Sequence, residues 1–222
     1  MSTILPDAPP TDWTIADVHA WLPGFPADRI RVYPTPGTAT EQDVLEAESR
    51  SNRICELIDG TLVEKTMASL ESILALELSY FIRRYLEGND LGILAGEAGL
   101  LKILPGQIRA PDVSFIRWER FAGRKLPEAA IYAVAPDLAV EIISEGNTEA
   151  EMNRKLRDYF QAGVQMVWYI EPKTRTARAY TTASQWTEIG SGGVLLGGEV
   201  LPGFELPLAQ LLARVEWPRA KG

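Results

Sequence analysis

The stretches that decide the fold are PDVSFI at residues 111–116 and PDLAVEII at residues 136–143. Each is an apolar run that follows a Pro-Asp pair, and such runs are typical of buried strands. Glu141 lies in the interior of the second run. Side chains alternate between the two faces of a strand, so Glu141 shares its face with apolar neighbours. An ionised carboxylate is costly to bury unless a cation or hydrogen bonds compensate it. Asp112 and Glu141 are therefore our candidate metal ligands.

The flanking sequence predicts further strands and helices around this pair. Asp59-Gly60 favours a type I′ turn between strands over 54–58 and 62–65. Apolar residues at helical spacing predict helices over 69–86 and about 149–162. The other predicted elements are a helix over 40–50, strands over 92–95, 100–104, 164–170 and 177–182, a Gly-rich hairpin of 186–189 with 194–196, and a helical turn over 208–214. Together they predict a mixed α/β sheet flanked by helices.

Length and composition indicate one domain with an extension. The 222 residues are 46% apolar and 23% charged, as is usual for a soluble globular chain. We predict an N-terminal extension over 1–40, a domain over 41–215 and a tail over 216–222. Apolar runs fall well short of the ~20 residues that cross a bilayer, and the start lacks the basic and apolar regions of a signal peptide. We therefore expect a cytoplasmic protein with no membrane partner.

Cysteine and histidine usage limits the chemistry. His19 and Cys55 are the only residues of their types. This excludes intrachain disulfides, Cys/His zinc sites and most nucleophilic triads. A metal in this protein must be held by oxygen, which favours magnesium, manganese or calcium. We expect His19 and Cys55 themselves to have no functional role.

The formal net charge of −8 argues against a nonspecific nucleic-acid binder. Its distribution weakens that argument, because residues 102–178 hold 12 Lys and Arg against 10 Asp and Glu. The candidate ligands lie in this least acidic part. Arg109 and Glu97 flank the same region and could contact substrate, but we expect both to be solvated.

Lys155 and Glu56 are the remaining candidates. Lys155 belongs to a helical stripe with Met152 and Tyr159, so it should lean toward the sheet. An amine close to carboxylates could hold and polarise a water molecule. Glu56 lies among apolar residues just before the hairpin turn, where it could complete a metal shell or act on a second ion.

Each candidate also has an interpretation without function. An Asp after Pro at a strand start is often a turn or cap residue, which applies to Asp112 and more strongly to Asp137. Glu141 and Lys155 could form a structural ion pair. Glu56 could be an edge-strand acid that faces solvent.

Six segments in fixed order carry a family resemblance over residues 40–212. They are ELIDGTLV (56–63), APDVSF (110–115), PDLAVEIIS (136–144), NRKLRDY (153–159), GV (163–164) with VW (167–168), and LPGF (201–204). With them the chain resembles the Uma-type (“Uma-two”) putative restriction endonucleases, a bacterial family of the PD-(D/E)XK nuclease superfamily. The resemblance implies a restriction-endonuclease-like mixed β-sheet core flanked by helices.

The resemblance also implies roles for the candidate residues. The first acid of the superfamily matches Asp112, the second matches Glu141, and the early helix-borne acid matches Glu56. The usual lysine two residues after the second acid is absent, since Ile143 stands there. In this family the lysine is found on the following helix, which is the place of Lys155.

One further departure concerns the start of the helix after the first hairpin. Many relatives carry a histidine there, whereas this chain has Ser69-Leu70-Glu71. We expect any role of that histidine to be lost.

We therefore expect an endonuclease that uses Mg²⁺ or Mn²⁺ to hydrolyse phosphodiester bonds, with DNA implied by the resemblance alone. Asp112, Glu141 and the Ile142 carbonyl would hold the metal, Lys155 would orient a water, and Glu56 would tune the site or bind a second ion. One alternative is an inactive module of the same fold that binds DNA or protein. Another is a metal-dependent phosphohydrolase for small substrates, which suits the acidic charge. A homodimer is expected, because two sites would cut two strands.

Overall fold

A computed structural model describes residues 13–51, 53–66 and 68–213, without the side chain of Ser51. The predicted tail over 216–222 and residues 214–215 lie outside the described residues. The helices are α1 (Ile15–Trp21), α2 (Glu41–Ser51), α3 (Ser69–Leu86), α4 (Glu149–Gln161) and α5 (Leu208–Ala213). The strands are β1 (Cys55–Ile58), β2 (Thr61–Glu64), β3 (Gly92–Gly96), β4 (Leu101–Leu104), β5 (Gln107–Arg109), β6 (Val113–Arg117), β7 (Leu138–Ile142), β8 (Met166–Glu171), β9 (Thr176–Thr182), β10 (Gln185–Ile189), β11 (Val194–Leu196) and β12 (Glu205–Pro207).

The strands form a mixed architecture. A six-stranded sheet has the order β10-β9-β8-β7-β6-β3, and a four-stranded sheet has the order β2-β1-β5-β4. Strands β7 and β8 are parallel, whereas β6 and β7 are antiparallel. The predicted α/β class, a mixed sheet flanked by helices, is confirmed.

The predicted last hairpin is wrong. Strand β10 pairs with β9, and β11 pairs with β12 instead of β10. The physical reason is burial, since pairing with β12 places Leu195 opposite Leu206 and buries both side chains. Four of the five β10 residues are exposed, as is usual at a sheet edge.

Two helices cover opposite faces of the six-stranded sheet. Helix α3 buries Leu78 and its neighbours in a core with Val140 of β7. Helix α4 buries Leu156 in a second core with Ala139. Because side chains alternate along β7, Glu141 lies on the same side as Ala139 and faces α4. The register of one strand thus directs its acid toward the helix that carries Lys155.

The described part of the N-terminal segment packs on the first hairpin. Its residues Leu22, Phe25 and Ile30 form a small core with Ile58 and Val63 on the hairpin strands. Among the described residues, no helix is both long and apolar enough to cross a membrane.

Candidate active site

Three of the four predicted side chains meet at one buried point. The Lys155 Nζ lies 3.1 Å from Glu141 Oε2 and 3.2 Å from Glu56 Oε1. All three side chains are at most 5% exposed. The Tyr159 hydroxyl, one helical turn after Lys155, donates to Glu141 Oε1 at 2.5 Å. Strands β1 and β7 and helix α4 therefore bring these groups together from distant parts of the chain.

Asp112 joins the same region at the ends of two strands. Its Oδ2 accepts a hydrogen bond from the Ile142 backbone N–H at 2.6 Å, and its Oδ1 lies 2.8 Å from the Lys65 Nζ. Lys65 is 5% exposed and also donates to the Ala110 carbonyl. Asp112 thus fixes the end of β7 and is paired with a cation that the sequence analysis did not single out.

A small pocket connects these groups. The space in it that can hold the centre of a water molecule is about 10 Å³, which is room for one water or one small ion. The Oε2 of Glu71 and the Oγ1 of Thr66 are buried without a hydrogen-bond partner among the described residues. An unpartnered carboxylate oxygen favours a cation as its ligand. The wall of the pocket includes Lys65, Thr66, Glu71, Asp112, Glu141, Ile142 and Lys155.

Glu56 lies behind this pocket and is not part of its wall. Its Oε1 accepts from the Ala110 N–H at 3.1 Å, and its Oε2 accepts from Arg109 at 2.8 Å. The solvent-facing alternative for Glu56 is wrong, because the residue is 2% exposed and β1 lies between β2 and β5. Glu56 also lies on a strand, so the helix-borne acid at the pocket is Glu71.

The prediction that Arg109 is solvated is wrong. Its side chain is fully buried and pairs with Glu56 and, through Nη2, with Asp158 of α4. Burial acts to lower the pKa of Arg109, but these two carboxylates hold it above its usual value. The guanidinium therefore links β5, β1 and α4 around the site.

Burial and charge give the two glutamates opposite properties. Burial acts to raise the pKa of Glu56, but Lys155 and Arg109 lower it to about 2. Burial raises the pKa of Glu141 to about 7, and the nearby Asp112 contributes to the rise, although Lys155 opposes it. Burial acts to lower the pKa of Lys155, but Glu141 and Glu56 keep it above its usual value. At neutral pH the site holds a charged amine, a charged Glu56 and a Glu141 near its midpoint.

The other candidates lie elsewhere. Asp137 accepts from the Arg117 N–H at 2.8 Å and pairs with Arg120, so it fastens the opposite end of β6 and β7. This placement favours the turn or cap interpretation of Asp137. His19 is exposed on α1, and Cys55 is buried, which raises the pKa of its thiol to about 11. Glu97 is half-buried just after β3 and does not line the pocket.

The oxygen groups suit a hard cation that keeps part of its water shell. Among the described residues, no cluster of three or more His, Cys, Asp or Glu side chains forms a ready-made metal cage. Asp112, Glu141 and the Ile142 carbonyl are the predicted set, and Glu71 adds an oxygen without a partner. Magnesium is commonly held by one or two carboxylates plus water and substrate oxygens. The donor set therefore fits Mg²⁺ or Mn²⁺ better than an ion that needs a complete protein shell.

Sequence reasoning missed Lys65, Glu71 and Arg29 among the pocket residues. Lys65 follows a strand and Arg29 precedes the predicted domain, so neither carries a periodic signal. Glu71 had one usable signal, since it occupies the stretch where the resemblance implied a histidine. That stretch has not lost its polar group; it places a carboxylate in the pocket wall.

Comparisons with known proteins agree with this architecture. A crystal structure described as a “putative nuclease belonging to DUF820 from Anabaena variabilis ATCC 29413” is similar, with a TM-score of 0.65 and 20% identity, over 73% of this chain and 92% of that one. This likeness shows the fold. The chain matches the model of the Uma2 family, “Putative restriction endonuclease”, over residues 41–209.

The match covers well over half of the chain, so the protein belongs to the Uma2 family, as the resemblance predicted. A comparison with curated proteins found no match. Family and fold together support a nuclease.

Proposed function

We propose that this protein is a Mg²⁺- or Mn²⁺-dependent endonuclease that hydrolyses phosphodiester bonds of DNA. The observation that supports this most is the buried Lys155 amine, held 3.1 Å from Glu141 beside a pocket that also contains Asp112. Burying a charged group costs free energy of folding. Strongly shifted carboxylates beside a pocket are typical of functional sites.

Asp112, Glu141 and the Ile142 carbonyl would hold the cation, with Glu71 as an additional oxygen ligand. The chemistry that a divalent cation supplies when bound is activation of water and neutralisation of charge on the phosphate. Asp112 is oriented for this role by the Ile142 N–H, which fixes its Oδ2. To bind a cation, Asp112 must release or share the Lys65 amine that now lies 2.8 Å from Oδ1.

Lys155 would orient the attacking water, and Glu56 would position Lys155. The contact between Glu56 Oε1 and the amine is 3.2 Å, and Arg109 holds the other carboxylate oxygen. Because Glu56 lies behind the pocket and is not part of its wall, a role in positioning fits its place better than metal ligation. Lys155 would therefore keep Glu56 as a carboxylate neighbour even when Glu141 binds the metal ion.

An inactive module of the same fold remains the competing candidate. It is favoured by one observation, which is that Asp112 and Glu141 each already have an ammonium partner in Lys65 and Lys155. In such a module these pairs would be purely structural and indifferent to metal.

A Mn²⁺ titration by calorimetry, paired with cleavage of supercoiled plasmid, distinguishes the two. We expect the wild type to bind Mn²⁺ and nick the plasmid, and Asp112→Asn and Glu141→Gln to lose both properties. Lys155→Met should keep Mn²⁺ binding and lose about 10²-fold or more in cleavage rate.

Asp137→Asn is the matched control, because Asp137 also follows a proline but fastens the far end of the same strands. It should bind Mn²⁺ as the wild type does. Absence of Mn²⁺ binding in the wild type would contradict the proposal and favour the module. Parallel reactions with single strands and with nucleotides test DNA against small substrates.

A homodimer is part of the proposal. Two copies related by a twofold axis would supply one site for each strand of a duplex. Sedimentation velocity tests it, and a monomer at all concentrations would contradict it.

A further inference from the structure

Arg29 lies in the pocket wall but belongs to the segment before the domain that matches the family. Its side chain is only 12% exposed and forms a two-pronged ion pair with Glu151, both contacts being 2.8 Å. Its Nε donates to the Glu64 carbonyl at 2.7 Å, and its Nη1 also donates to the Gly146 carbonyl at 3.2 Å. One guanidinium thus joins β2, the loop after β7, and α4.

Each of the three residues that Arg29 contacts lies close in sequence to a residue of the site. Glu64 precedes Lys65, the partner of Asp112. Gly146 belongs to the loop that leads from β7 to α4. Glu151 lies one helical turn before Lys155, on the same face of α4. Arg29 therefore fixes the relative positions of the elements that carry the two lysines.

The segment is built to bring Arg29 close to α4. Gly24 has a φ of +86°, and a Cβ there would lie 2.2 Å from the Ala150 Cβ, so only glycine permits this approach. The Thr148 hydroxyl, at the N-cap of α4, donates to the Gly24 carbonyl. Phe25 and Ile30 anchor the segment in the small core on the hairpin.

We infer that Arg29 is a positioning residue of this site, which holds the start of α4 so that Lys155 stays between Glu56 and Glu141. The inference rests on the proposed function, because the reaction is what the position of Lys155 serves. Glu151 is fully buried, and Arg29 is the cation that pairs with it. The segment over 13–40 then helps to hold the active site in its geometry.

The test compares the full-length wild type with the double variant Arg29→Met, Glu151→Met. Replacing both members of a buried ion pair by apolar residues often leaves stability intact. Three quantities are measured. They are the rate at which an acylating reagent modifies Lys155, followed by mass spectrometry, the rate of single-turnover plasmid cleavage, and the affinity for DNA. We expect acylation of Lys155 to rise about fivefold or more and cleavage to fall about tenfold, with DNA affinity within about twofold.

The matched control is Arg31→Met. Arg31 belongs to the same segment and contacts Glu64 Oε1 at 2.5 Å, but it is 44% exposed and outside the pocket wall. It should leave Lys155 acylation and cleavage unchanged. If the double variant does not fold, Arg29→Lys keeps the charge, loses the two-pronged geometry, and should show the same changes.

Unchanged acylation of Lys155 in a folded variant overturns the inference. Increased acylation with unchanged cleavage overturns it as well, because the position of Lys155 would then not matter for the reaction. A wild type without cleavage activity refutes the proposed function instead, and the acylation rates then still decide whether Arg29 positions Lys155.

Discussion

Replacing Glu141 with Gln should stabilise the metal-free protein at neutral and alkaline pH. Burial raises the pKa of Glu141 from 4.5 to about 7, so the folded protein binds this proton more tightly than the unfolded chain. The wild type therefore loses stability as the pH rises from 4.5 to 7, and the loss is complete above 7. At about 1.36 kcal/mol per pKa unit, the loss amounts to about 3 kcal/mol.

The amide of Gln has no proton to lose, so this loss should be absent from the variant. Lys155 keeps Glu56 at 3.2 Å as a counter-charge, and the Tyr159 hydroxyl can still donate to the amide oxygen. The value of about 3 kcal/mol is an upper limit, because the contact between Lys155 and Glu141 Oε2 is lost.

The assay is urea unfolding of both proteins in EDTA at pH 5, 6, 7 and 8. The free energy of unfolding of the variant should increase relative to that of the wild type as the pH rises. The difference should become constant once the pH exceeds 7. Added Mn²⁺ should then stabilise the wild type and not the variant. A variant that is less stable than the wild type by the same amount at every pH would refute the reasoning, because Glu141 would then be a favourable charge throughout.

Three further predictions concern the same region. Glu56→Gln should lower the free energy of unfolding by about 3–5 kcal/mol at pH 7, because the buried Arg109 and Lys155 each lose one of their two carboxylate partners, and a loss below about 1 kcal/mol would contradict this. Mn²⁺ should bind about tenfold more weakly at pH 6 than at pH 8 by calorimetry, since protons compete for Glu141, and equal affinities would contradict this prediction. Gly24→Ala should cost about 1–3 kcal/mol in thermal unfolding because its Cβ meets Ala150, whereas Gly190→Ala, with open space around it, should cost less than 1.

The sequence was sufficient for the parts of the site that follow local periodicity. Alternation along β7 puts Glu141 on the face opposite Val140, and the helical stripe puts Lys155 on the inner side of α4. Both patterns depend only on neighbours within about one or two turns or strand steps. The approach of these two elements then follows from burying their apolar residues in one core.

The remainder depends on which distant segments come into contact. Arg109 shows no pattern that distinguishes a buried guanidinium from a solvated one, because its partners Glu56 and Asp158 lie on two other elements, β1 and α4. Arg29 and Lys65 pair with residues 122 and 47 positions away, as read from their contacts with Glu151 and Asp112. Long basic side chains reach whatever acid the fold brings near, and a single sequence does not reveal that acid.

The size of the pocket has a consequence for selectivity. A recess with room for a single water molecule excludes a nucleobase, which has several times that volume. Any preference of this protein for one base order over another must therefore arise on surfaces outside the recess, or from the ease with which a helix of nucleic acid deforms to bring its backbone to the rim.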